Sequence, residues 1–203
     1  MPNKTTRSLT LAQNPAADKV LNEDDFGLMV GMLLDQQFPM EHAFAGPAKI
    51  LSRFNSLDPA QIAGANPEEF ADLCSTPPAI HRYGRSMAGR IQALATVIVD
   101  QYDGDPATIW TTATGGKQLR DRLEALPGFG AQKSKIFIAL LAKQLHVCPK
   151  GWEQASAPYS ESGSRRSVAD VVDKTSLDEV RAFKKQAKAE AKSKSPAKSK
   201  STL

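Results

Sequence analysis

The 203 residues, 41% of them hydrophobic, suffice for one domain with tails and a core of ordinary size. No apolar run reaches membrane-spanning length, and Met1-Pro2-Asn3-Lys4-Thr5-Thr6-Arg7 leads into no signal-type apolar region, so no membrane partner is expected and a cytoplasmic location is. The net charge of +4 is unevenly placed. From Arg181 onward eight basic residues face one acid, and the other 18 basic and 21 acidic residues leave the body of the chain at −3. A slightly acidic body is consistent with a monomer.

Residues 1–20 read as a flexible N-terminus. Residues 21–147 read as one helical domain. Within it Phe26 to Leu34 is apolar on every side until Asp35-Gln36-Gln37, the pattern of a helix inside a helical core. Met40 to Phe54 follows with Ala43, Ala45, Ile50 and Leu51 as a helical stripe. Short helical patterns lie at Pro59–Ile62 and Pro67–Leu73. Tyr83 to Tyr102 carries Met87, Ile91, Leu94, Val97 and Ile98 at helical spacing. Leu119, Leu123 and Leu126 mark a helix from Gly116, and Ala131 to Leu145 reads as a mostly buried one. No strand-type alternation of useful length occurs, so the fold class is all-α. Residues 148–175 form a Gly/Pro-containing loop. Ser176-Leu177-Asp178-Glu179 is a capping-box pattern opening a C-terminal helix over 176–192. The remaining Ala, Lys, Ser and Pro196 at 193–203 make a basic low-complexity tail.

Leu126-Pro127-Gly128-Phe129-Gly130 joins two helices in a tight hairpin (117–145). Pro127 stops the first helix. Gly128 and Gly130 supply backbone freedom and room for a close approach. The second helix starts with free N–H groups, a ready anion site, and Lys133, Ser134 and Lys135 lie in its first turn. A phosphate of a nucleic-acid backbone is the natural ligand. The plain alternative is an αα-hairpin with a Pro-Gly turn.

With these residues the chain resembles the helix-hairpin-helix glycosylase superfamily of base-excision DNA repair, HhH-GPD, the group of endonuclease III and the alkyladenine and adenine glycosylases. The order of the helices matches from Phe26 to Leu145. The resemblance implies a helical domain with a second domain reduced here, and double-stranded DNA carrying a damaged base as partner. It implies DNA contacts at Gln37, Gly128, Phe129, Gly130, Gln132, Lys133, Ser134 and Lys135. Gln37 matches the glutamine that probes the duplex where the base has left it. Lys117, Arg120, Arg122, Arg82, Arg85 and Arg90 are basic candidates beside them. Phe38, Trp152 and Tyr159 are candidates for stacking on a base. The basic tail would add salt-dependent affinity.

A glycosylase stabilises positive charge on the sugar with a carboxylate and takes its base from a flipped nucleotide. The resemblance places an Asp after a Gly/Pro loop behind the hairpin. A gapless alignment puts Lys150 there, and Ser167-Val168-Ala169-Asp170-Val171, after a longer loop, makes Asp170 the catalytic candidate. Glu153, Glu161 and Asp173 are weaker choices. Where some members carry a hairpin lysine that forms a Schiff base, this chain has Gln132, so no lyase step is expected. Two cysteines, Cys74 and Cys148, cannot supply the four ligands of the iron–sulfur cluster found in several relatives. No metal site is expected at His42, His81 or His146, and no cofactor. The resemblance leaves room for a monovalent cation under the hairpin carbonyls. Two functions remain open: a monofunctional DNA glycosylase, or a noncatalytic helix-hairpin-helix module that holds DNA through phosphates.

Overall fold

A computed structural model describes residues 7–194, with side chains to 190. Twelve helices follow in order: α1 (Pro15–Glu23), α2 (Asp25–Leu34), α3 (Met40–Phe44), α4 (Gly46–Phe54), α5 (Pro59–Gly64), α6 (Pro67–Ser75), α7 (Gly84–Tyr102), α8 (Thr108–Thr111), α9 (Gly116–Glu124), α10 (Ala131–Leu145), α11 (Trp152–Ser156) and α12 (Lys174–Lys194). A 3₁₀ turn, Val168–Asp170, precedes the last. Among the described residues there is no strand, and no helix is long and apolar enough to cross a membrane.

Helix α2 is the centre. All ten of its residues are buried, as its uniformly apolar pattern requires. Asp24 caps it by accepting from the Gly27 N–H. Around it pack α1, α3 and α4, while α5 and α6 lie along α7. A second group forms around α10, which touches α9, α11 and the 3₁₀ turn. One apolar core runs through both groups, from Leu9 and Leu11 to Leu177 and Val180.

Four boundaries depart from the sequence reading. The expected flexible N-terminus is tied down within the described residues: Leu9 and Leu11 are buried, Arg7 meets Asp25 at 2.6 Å, and α1 fills Pro15–Glu23. Residues 1–6 lie outside the described residues. The stripe at 40–54 is two helices, because Pro47 has no N–H to donate and opens α4 afresh after Ala45. The loop over 148–175 contains α11 and the 3₁₀ turn. The C-terminal helix begins at Lys174, two residues before the expected start. Asp173 is the cap, accepting from the Ser176 N–H at 2.7 Å while Ser176 Oγ accepts from the Asp173 N–H at 2.9 Å. The tail over 195–203 lies outside the described residues.

Candidate nucleic-acid interface

The hairpin is built as its glycines and proline require. Its turn brings Gly128 to φ +81°, where a side chain is strained, and a Cβ there would lie 2.7 Å from Leu33 Cδ1. The turn therefore rests on the C-terminal end of α2. Gly130 is conformationally ordinary, with φ −81°, and the space over its α-carbon is open. It caps α10 without any side-chain hydrogen bond, so the first amides of that helix keep their donors. Residue 130 thus needs no glycine for its backbone angles; an added methyl group would obstruct only what approaches from outside.

The side chains of this first turn behave differently from the sequence expectation. Lys133 turns inward, and its ammonium donates to the carbonyl oxygens of Met32 and Leu33, the latter at 2.9 Å. It satisfies the open carbonyl end of α2 and is not spread toward solvent for a phosphate. Burial pushes its amine down to about 8, against the pull of Asp35 and with Arg90 and Lys184 adding to the drop. Ser134 is fully buried, with no partner for its hydroxyl among the described residues. Phe129 is a core residue packed edge-on against Phe137 at 5.9 Å. Gln132 is exposed and donates to Tyr159 Oη at 3.0 Å. Lys135 is half-buried. What the hairpin offers a ligand is chiefly its backbone, with Lys135 in no ion pair among the described residues.

The other half of the interface lies just past α2. Gln36 and Gln37 leave its end, with Gln37 exposed and in the left-handed region at φ +52°. A glutamine there is uncommon and must be held by its surroundings. His81, from the turn before α7, holds it. Its Nε2–H donates to the Gln36 carbonyl at 3.1 Å, and its Nδ1 accepts the Tyr83 N–H at 3.1 Å. This pattern requires a neutral ring, and burial holds its pKa below the ordinary value, opposed by the Gln36 hydrogen bond. Phe38 packs on the same ring at 4.6 Å. The His81 turn is in turn fixed by α4: Lys49 donates to the Ala79 carbonyl, and Arg53 donates to those of Leu73, Thr76 and Pro78.

Charged neighbours complete this edge. Arg82 donates to Gln37 Oε1 at 2.7 Å and stacks over the Tyr83 ring at 4.7 Å. Arg90 donates to Gln36 Oε1 at 3.1 Å. Gln36 also gives its amide N–H to the Leu33 carbonyl, so both its ends are occupied, whereas the exposed Gln37 has only its Oε1 engaged among the described residues. Tyr83 is 54% exposed, the most exposed large aromatic of the body, on the rim of a cavity of about 350 Å³ shared with Ser75, His81 and Ser86. The remaining basic candidates are engaged elsewhere. Lys117 pairs with Asp121, Arg120 with Glu124 and Arg85 with Glu68 and Asp72, while Arg122 ties the Thr108 and Ile109 carbonyls. Sequence reading missed Tyr83, taken as a helix start, and the coupling by His81. A histidine, an arginine and a tyrosine ending a Pro-rich turn were the available signal.

The family model of HhH-GPD superfamily base excision DNA repair proteins matches residues 30–199. The chain belongs to the HhH-GPD superfamily. It is therefore a base excision DNA repair protein of a family that binds DNA. No curated protein and no solved structure matches it. Within this HhH-GPD chain Asp170 is not brought to the hairpin. It closes a capping box with Ser167, accepts from the Arg166 and Ser167 N–H groups at 3.0 and 3.2 Å, and meets Lys143 at 2.7 Å. Lys143 stands ten residues beyond Lys133 on α10, a rise of about 15 Å. Asp170 lines a separate cavity of about 420 Å³ with Trp152, Ser164 and Arg165. The loop between is what sets it there, since Tyr159 returns to Gln132 and the Glu161 backbone carbonyl already accepts from Lys143. A four-cysteine cluster does not fit: Cys74 is buried on α6 and Cys148 is exposed. Among the described residues no group of three or more His, Cys, Asp or Glu could hold a metal.

Proposed function

We propose that this HhH-GPD protein is a monofunctional DNA glycosylase that hydrolyses the bond between a damaged base and its sugar in duplex DNA. The observation that carries the reading is the edge formed by Gln37, Arg82 and Tyr83. An amide whose donors have no partner among the described residues, held in a left-handed turn, stands beside an exposed ring backed by a guanidinium. A ring of this kind stacks on any base, and an amide fills hydrogen bonds that a departed base leaves open. The uncapped amides of α10 beside Gly130 supply backbone phosphate contacts, which position the duplex without reading its sequence. Gln132 at the hairpin position, and Lys133 with its amine taken up by carbonyls of α2, support a reading without a lyase step.

The second reading, a noncatalytic module, is favoured by one observation: Asp170 is fully engaged by its capping box and Lys143. Single-turnover base release separates the two. The panel is duplexes carrying uracil, hypoxanthine, an alkylpurine, oxidised guanine, an oxidised pyrimidine, or adenine opposite oxidised guanine. The glycosylase reading expects release from at least one, with strand breakage only after alkali. Tight binding throughout with no release would leave the module. Breakage without alkali would overturn the monofunctional assignment.

A further inference from the structure

We propose that Asp35, and not Asp170, is the catalytic carboxylate of this protein; the assignment rests on the glycosylase reading above. Asp35 ends α2 and directly precedes Gln36 and Gln37, so its backbone is fixed at the edge where a base would leave the duplex. Its N–H donates to the Gly31 carbonyl at 3.1 Å. Its side chain is 14% exposed, sheltered but within reach of a ligand. Its nearest charged partner is the Lys184 ammonium at 3.7 Å, longer than a hydrogen bond and on an exposed stretch of α12. Such a pair is weakly held, and a phosphate competes for the same ammonium. DNA binding would thus draw Lys184 off and open the Asp35 carboxylate to the sugar.

Four other carboxylates are engaged elsewhere. Asp170 has a 3% exposed side chain and accepts from Lys143 and two backbone amides. Glu41 is held through Oε1 by Arg181, and its Oε2 is buried rather than open to a ligand. Asp173 caps α12. Asp72 is held by Arg85. Asp35 alone among these five adjoins Lys133, whose position against α2 ties it to the start of α10 and its open amides. It therefore sits where the probing glutamine and the phosphate-binding hairpin meet. In the reaction the bond between sugar C1′ and base nitrogen breaks, and its electron pair leaves with the base. The anionic carboxylate stabilises the positive charge that grows on the sugar. A water oxygen bonds to C1′; one of its protons passes to the carboxylate and on to the departing base. The products are the free base and an abasic sugar, with no change of oxidation state.

The test uses the full chain and whichever duplex the wild type cleaves. Asp35→Asn is expected to slow single-turnover release by about 10²–10⁴-fold, with duplex affinity within about twofold. Asp170→Asn is expected to lower the thermal midpoint while each folded molecule keeps its release rate. Where Asp35→Asn fails to fold, Asp35→Glu, which keeps the charge and moves it by one methylene, is expected to fold and release slowly. Full release by Asp35→Asn, or by a folded Asp35→Ser, overturns the assignment. So does a release defect in well-folded Asp170→Asn. A wild type that releases no base sinks the glycosylase reading itself and this assignment with it, an outcome distinct from release that survives loss of Asp35.

Discussion

His81 couples the two turns of the interface through one neutral ring, so its protonation state is part of the fold. The folded ring binds a proton less readily than the unfolded chain, because burial disfavours its charge and Nδ1 is already an acceptor. As pH falls below the ordinary value of 6.5, the unfolded chain takes up the proton first and stability declines; the slope ends once the folded ring also titrates. Denaturant unfolding followed between neutral and mildly acid pH is expected to show this decline, and His81→Gln to flatten it. An unchanged slope in the variant would place the acid sensitivity elsewhere. The sequence displayed the residue but not this role: a lone histidine in a Pro-rich turn gives no spacing that reveals two backbone partners 45 residues and two residues away.

At the level of elements, the hairpin and α2 form one unit through Gly128 on Leu33 and Lys133 on the α2 carbonyls. The two glycines of the turn then separate cleanly. Gly128→Ala is expected to destabilise by about 1–3 kcal/mol, through a left-handed φ and a crowded Leu33. Gly130→Ala is expected to leave the unfolding midpoint unchanged and to weaken duplex binding, since open space surrounds its α-carbon. Equal destabilisation by both, or undiminished DNA binding by Gly130→Ala, would contradict this division. Helices α9 and α10 were legible because Leu119, Leu123 and the run from Ile136 to Leu145 impose their period, and Pro127 with Gly128 and Gly130 stops it. The direction of the side chains in the first turn was not legible. Lys133 reads as a surface cation until the carbonyl end of α2 is placed against it, and that contact spans about 100 residues of sequence.

For the whole molecule, one continuous core joins the α2 group to the α10 group, and the proposed interface runs along their shared border. Arg181 with Glu41 and Lys184 with Asp35 bring α12 to that same border. Composition suggested a basic excess concentrated in the C-terminal segment. The structure adds that the excess begins beside the candidate site and that many basic groups of the body, Arg85, Lys117, Arg120 and Lys143 among them, are paired with nearby acids. The family was legible from the hairpin and the helix order. Of the candidate site the hairpin was legible and the surroundings of Asp170 were not, because a long loop carries that residue along α10 to Lys143. The central claim is that the edge at Gln37 and Tyr83 enters the duplex. Fluorescence of a stacked purine analogue placed in a duplex next to a lesion reads this directly. The wild type is expected to raise the signal by unstacking the analogue, and Gln37→Ala combined with Tyr83→Ala to bind the duplex without raising it. A double variant that unstacks the analogue as well as the wild type would contradict the account.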